Sequence, residues 1–264
     1  MPEALEHIRR MRGGAQAHLM RCSDGGYYVV KFQNNPQHQR ILVNELLGTR
    51  LAARLGLRTP RVAVVHVDQR LIDLTSELVM QIGTARIPCR AGFQFGSRYP
   101  GDPAQIVVHD LLPEEQLLAV ENLADFCGIL VFDKWTCNTN GRQAIFYRED
   151  GQPHYAAMMI DQGFCFNAGE WNFPDAPLRG LYLRQRVYEQ VRGMEAFEPW
   201  LARLEQVNER VLDALSKEIP PEWYDGDQDA LYRLLEQLLR RRKRVPDLIL
   251  EAKKSDRQPF PNWT

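Results

Sequence analysis

Two stretches of the chain gather residue types suited to chemistry. In Met159-Ile160-Asp161-Gln162-Gly163-Phe164 an apolar run delivers a single carboxylate into an Asp-x-Gly turn. A carboxylate so placed is expensive to bury without a cation or several hydrogen-bond donors, which suits contact with a metal-bound phosphate. Upstream, Phe132-Asp133-Lys134-Trp135-Thr136-Cys137-Asn138-Thr139-Asn140-Gly141-Arg142 supplies an Asp, two Asn and an Arg. Asp133 and Asn138 have the Asp-x-x-x-x-Asn spacing that places a base and a metal-binding amide in phosphoryl-transfer sites. The same composition also makes an ordinary polar turn, with Asp133 ending the preceding helix. If both stretches face one cleft, the chemistry is ATP-dependent phosphoryl transfer. If they do not, the chain is a mixed α/β protein with a polar loop.

Three earlier positions fit a phosphate site. Lys31 closes the apolar run Tyr27-Tyr28-Val29-Val30-Lys31-Phe32, and strand alternation projects its ammonium from one sheet face. A strand lysine that contacts phosphates is steadied by a helix glutamate, and Glu45 lies on the next predicted helix. Gly13-Gly14-Ala15-Gln16 precedes the first strand of this pattern. Paired glycines let backbone N–H groups approach phosphate oxygens, although they also serve in any tight turn.

The elements that must hold these residues follow from spacing. Residues 12 to 32 read as strand, turn and strand about Ser23-Asp24-Gly25-Gly26. A helix is predicted from Arg40 to Leu55, with Leu42, Leu46, Leu47, Leu51 and Leu55 on one side and Gly56 as a stop. Val62–Val67 and Leu71–Leu74 suggest two strands, and Ile87–Pro103 a looser segment holding a boundary between residues 1–100 and 101–264. A helical run opens at Pro113. Ile145–Tyr147 and Ala156–Ile160 form a hairpin about Glu149-Asp150-Gly151-Gln152-Pro153. From Phe197 the pattern is helical, broken at Pro220-Pro221 and resumed from Asp229 to about Lys243, with Lys253–Thr264 an extended tail. Phe164–Tyr182 is too punctuated for a core element and reads as a functional loop.

Composition narrows the classes. A formal net charge of -1 argues against nucleic-acid binding, which depends on displaced counterions. The run Arg240-Arg241-Arg242-Lys243-Arg244 sits at a predicted helix C-terminus, where cations suit the macrodipole. Five scattered Cys without a Cys-x-x-Cys pair fit reduced thiols rather than a disulfide frame or zinc site. No signal peptide or membrane-length apolar window is present, so a soluble, cytoplasmic protein without nucleic-acid or membrane partners is expected.

In this order the parts resemble the HipA-like kinase domain, part of a divergent protein-kinase-like superfamily, over residues 12 to 245. The resemblance implies a two-lobed α+β fold, with a small N-terminal antiparallel sheet plus one helix and a larger helical C-terminal lobe. It implies ATP and Mg²⁺, with Gly13, Gly14 and Gln16 over the phosphates and Lys31 on the α- and β-phosphates. Glu45 would steady Lys31, Asp161 would hold Mg²⁺, and Phe93–Arg98 would line the adenine pocket as a hinge. The implied activity is transfer to a protein Ser/Thr hydroxyl or a small-molecule acceptor, with Phe164–Tyr182 as an acceptor-facing or activation-type loop.

One departure divides the expectations. The family pattern Asn-x-Asp places a base at position 140 and a metal-binding Asn at 145, where this chain has Asn140 and Ile145. An amide orients a hydroxyl but takes no proton from it. Either Asp133 serves as base, with Arg142 beside it and Asn138 or Gln143 on the metal, or the chain is a pseudokinase that binds nucleotide or a partner without transfer.

Overall fold

The computed structural model describes residues 1–149 and 151–264. Five antiparallel strands form the N-terminal sheet in the order β1-β2-β3-β7-β4: β1 (Ala4–Arg10), β2 (His18–Cys22), β3 (Tyr27–Lys31), β7 (Gly92–Arg98) and β4 (Val62–Val67). Between β3 and β4 the chain forms α1 (Ile41–Arg54), the amphipathic helix predicted from the leucine spacing. Between β4 and β7 lie α2 (Gln69–Asp73) and a hairpin of β5 (Val79–Ile82), with Met80 buried, and the exposed β6 (Ala85–Pro88).

Three features of this half differ from the sequence expectation. β1 is an edge strand whose residues after Ala4 are mostly exposed, so no apolar alternation marks it. It also means that Gly13-Gly14 joins two strands rather than preceding the first. Leu71 to Leu74, expected as strand, belong to α2 and its C-cap, because the Asp68 carboxylate caps the helix by accepting from the Arg70 N–H at 2.8 Å. The segment expected to be loose contains β7, which pairs with both β3 and β4. Its Gly96 reads as a breaker, yet a Cβ there would overlap the Val65 side chain across the sheet. Here glycine marks close packing inside a strand.

The expected division at residue 100 falls in the connection from β7 to β8 (Val108–His109). Beyond it, α3 (Glu114–Leu118) and α4 (Asp125–Thr136) lead to the hairpin of β9 (Gln143–Tyr147) and β10 (Ala156–Ile160). The turn expected between these strands includes Asp150, which lies outside the described residues. Four further helices follow: α5 (Glu198–Glu205), α6 (Glu209–Ser216), α7 (Gln228–Arg241) and α8 (Val245–Lys253). The tail expected to be extended folds back, placing buried Phe260 against Tyr188 and Phe197. One apolar core joins α1 to α4 and the C-terminal helices, and a second fills the other side of the N-terminal sheet.

The α4–α5 crossing depends on Gly128, because a Cβ there would meet the Trp200 indole. Gly128→Ala is therefore expected to destabilise the protein by about 1–3 kcal/mol through overpacking. A urea midpoint equal to that of the parent protein would contradict this packing.

Candidate active site

Three residues from distant parts of the chain meet at one point. The Lys31 ammonium, at the end of β3, donates to the carboxylate of Glu45 on α1. It also donates to Asp161 Oδ1 at 2.8 Å, at the turn after β10. Burial opposes the Lys31 ammonium, but Asp161 and Glu45 outweigh it and raise its pKa above the ordinary value. Burial also opposes the Asp161 carboxylate, yet Lys31 prevails and brings its pKa down to about 2. Glu45 is pushed upward by burial against the pull of Lys31. Its two oxygens accept the backbone N–H groups of Gln162 and Gly163 at 3.0 and 2.9 Å, which ties α1 to the Asp161 turn.

The backbone of that turn is unusual. Asp161 has φ 63°, in the left-handed region, which costs a non-glycine residue energy. Gly163 is needed because a Cβ there would crowd Ile41 and Glu45 at 2.8–2.9 Å. The next segment contains three successive left-handed residues, Phe166, Asn167 and Ala168. Asn44 holds this bend, its amide nitrogen lying 2.8–2.9 Å from the carbonyls of Gly163, Cys165 and Ala168.

Asp133, considered as a base, is placed elsewhere. It lies on the last turn of α4, and its side chain and that of Arg142 are both 0% exposed. Arg142 donates through Nε to Oδ2 at 2.9 Å and through Nη2 to Oδ1 at 2.5 Å. The Asn138 amide donates to Oδ1 at 3.0 Å. Asp133 is thus enclosed, with three donors on its two oxygens. Arg142 also donates to the Ile160 carbonyl at 2.8 Å and to Gln162 Oε1 at 2.9 Å. It links the end of α4 to both sides of Asp161. Burial opposes its charge, but Asp133 more than compensates, raising its pKa.

The remaining candidates divide. Asn138 is buried, and its Oδ1 accepts the Asn140 N–H at 3.1 Å, so both ends of its amide serve the loop. Gln143, by contrast, is exposed and its amide donates to Asp161 Oδ2 at 2.6 Å. Ile145, in the family's metal position, pairs with Met158 in the hairpin and packs in a small apolar cluster. Gly13 and Gly14 lie on the connection from β1 to β2, with Gly13 at φ 115°. The Gln16 side chain is held by the Gln81 backbone through bonds of 2.8 and 2.7 Å, so it braces the β5 hairpin. Phe93–Arg98 forms strand β7 itself.

A cavity of about 330 Å³ opens beside Asn140, between Thr139–Gly141 and residues 178–183, with Gln185 and Arg257 completing its lining. The latter stretch is anchored by Lys134, whose ammonium donates to the carbonyls of Pro177 and Arg179. Burial pushes Lys134 down to about 8. Asp175 adds ion pairs with Arg241 at 3.0 Å and Arg244 at 2.9 Å. Asn44, Lys134 and Gln162 were not singled out from sequence. The available signal was a polar residue within an apolar helix or beside the Asp-x-Gly turn.

Among the described residues no cluster of three or more His, Cys, Asp or Glu could hold a metal ion. Asp161 offers carboxylate oxygens of the kind a hard cation takes when it shares its shell with phosphate and water, and the Gln143 amide nitrogen now donates to one of them. No helix of the described residues is long and apolar enough to cross a membrane.

Comparison with known proteins bears on this arrangement. No curated protein matches the chain. The Golgi casein kinase, solved with Mn/ADP bound, is similar with a TM-score of 0.56 and 13% identity, covering 96% of this chain and 74% of that one. The Helicobacter pylori proinflammatory kinase CtkA is similar with a TM-score of 0.50 and 13% identity, covering 94% and 96% respectively. These likenesses show a protein-kinase-like fold. The model of the HipA-like kinase family matches residues 5–245, and the chain belongs to that family.

Proposed function

We propose that this kinase-like protein is an ATP- and Mg²⁺-dependent phosphotransferase. The observation that carries the reading is the Lys31–Glu45–Asp161 cluster, in which a sheet lysine, a helix glutamate and an Asp-x-Gly carboxylate meet. Such a lysine positions α- and β-phosphates, and the Asp-x-Gly carboxylate binds the metal that bridges phosphates. The Golgi casein kinase bound to Mn/ADP supports a nucleotide and a divalent cation in a fold of this kind. When bound, Mg²⁺ would neutralise developing phosphate charge, held by Asp161 with the Gln143 amide beside it. Lys31 would leave Asp161 in part to meet the nucleotide. The Gly13–Gly14 connection would lie over the phosphates, as the glycines of a phosphate-covering loop do. Asp133 and Arg142 we assign to positioning the Asp161 turn.

A second reading is a pseudokinase, favoured by Asn140 and Ile145 at the family's base and metal positions. Transfer to a protein Ser/Thr hydroxyl, the acceptor implied by the family, requires the hydroxyl proton to leave, and Asn140 cannot accept it. Incubation of the purified protein with labelled ATP and Mg²⁺ separates the readings. The expected result is an ATP-dependent rise in melting temperature and ADP formation on addition of an acceptor, both lost in Lys31→Ala. Nucleotide binding without turnover on any acceptor supports the pseudokinase. An unchanged melting temperature at saturating MgATP removes the phosphotransferase and the nucleotide-binding pseudokinase.

A further inference from the structure

The cavity beside Asn140 is cationic and has no base. Its lining contains Arg179 and Arg257 but no carboxylate and no imidazole. Both arginines are exposed. Nearby Arg184, Arg241 and Arg244 each pair with a carboxylate. Among the described residues Arg179 and Arg257 have no such partner; Arg179 Nη1 donates to Asn167 Oδ1 at 3.3 Å, and its guanidinium also contacts the Cys137 thiol. The chain ties Asn140 to the proposed nucleotide site, because Gln143, which touches Asp161, is three residues away. Three residues of chain span at most about 11 Å.

From this pairing of free cationic charge with a missing base, we propose that the acceptor is an oxyanion already ionised at neutral pH, a carboxylate or a phosphate. The proposal rests on the phosphotransferase reading and gives it an acceptor class. An oxygen lone pair of the acceptor forms a new bond to the γ-phosphorus. The bond from that phosphorus to the β,γ-bridging oxygen breaks, and its electron pair stays on ADP. Charge balances with no proton released, whereas an alcohol acceptor must lose one. An amide at position 140 then meets the requirement better than aspartate, because a carboxylate there would repel the acceptor. Arg179 and Arg257 would hold the anion through charge-assisted hydrogen bonds.

The test uses the full chain with labelled ATP and Mg²⁺, offering acetate, inorganic phosphate, or a degenerate Ser/Thr peptide pool. Acetate or phosphate is expected to stimulate ADP formation, and Asn140→Asp to lower that rate about tenfold by like-charge repulsion. Arg179→Gln and Arg257→Gln are each expected to raise the KM for the anion about tenfold, the weight of one charge-assisted contact. A hydroxylamine-labile product marks a carboxylate acceptor, and a stable, pyrophosphatase-sensitive product marks phosphate. Labelling of the peptide pool alone, faster in Asn140→Asp, overturns the oxyanion assignment and leaves phosphoryl transfer standing. MgATP binding with no stimulation by any of the three acceptors overturns both.

Discussion

Asp161→Asn is expected to reduce acceptor-dependent ADP formation about a thousandfold, the scale on which removing a preorganised electrostatic group acts on turnover. The substitution keeps shape and removes charge. Glu45 remains as the partner of Lys31, so the β3–α1 contact survives. What is lost, under the proposed function, is the charged group that would hold the metal, since the Gln143 amide beside it is neutral. Turnover by steady-state kinetics and folding by melting temperature, measured on the same preparation, check this. A variant that folds normally and turns over at the parent rate removes Asp161 from the chemistry. The acid limb offers a second reading. The Asp161 pKa falls from an ordinary 3.8 to about 2 in the folded protein. Its pairing therefore stabilises in full above the ordinary value and is lost as pH falls through about 2. Asp161→Asn is expected to lack that component of acid unfolding.

Asp133→Ala is expected to cost about 3–5 kcal/mol of stability, because it leaves a buried guanidinium without its counter-charge. For a chain of this size that lowers the melting temperature by roughly 6–20 °C. Arg142 would retain bonds to the Ile160 carbonyl and Gln162, but neither supplies negative charge. The loss is also expected to loosen the Asp161 turn, so turnover should fall together with stability. Asp133→Asn separates this role from that of a base. An amide can still accept one guanidinium bond, so partial stability and partial turnover are expected. A melting temperature equal to that of the parent protein, with transfer abolished, would restore Asp133 as the base.

The parts of the site that were legible in the sequence are those set by local rules. Strand alternation placed Lys31, helix spacing placed Glu45, and the apolar run before Asp161 marked a strand end, β10. The loop from Asp133 to Arg142 was legible as chemistry but not as geometry. Spacing shows that an Asp and an Asn lie five residues apart, but not that helix α4 continues to Thr136 and carries the Asp inward. The partner that encloses Asp133 is Arg142, from the start of the next hairpin, and only tertiary packing brings them together. β1 was missed because an edge strand with one buried residue carries no apolar pattern. β7 was missed because a glycine required by a neighbouring side chain looks, in one dimension, like a turn.

Helix α1 has a consequence for regulation. Eleven of its 14 residues are buried, and its apolar side chains belong to the same core as α4 and the C-terminal helices. Kinase-like proteins that switch by moving this helix withdraw its glutamate from the lysine. Here such a movement would expose a large part of the common core, break both backbone bonds to Glu45 and release the bend held by Asn44. The segment behind that bend, Phe164–Tyr182, contains no Ser or Thr, and its single Tyr, Tyr182, is buried in the core. The packing of α1 thus opposes control by displacement of this helix.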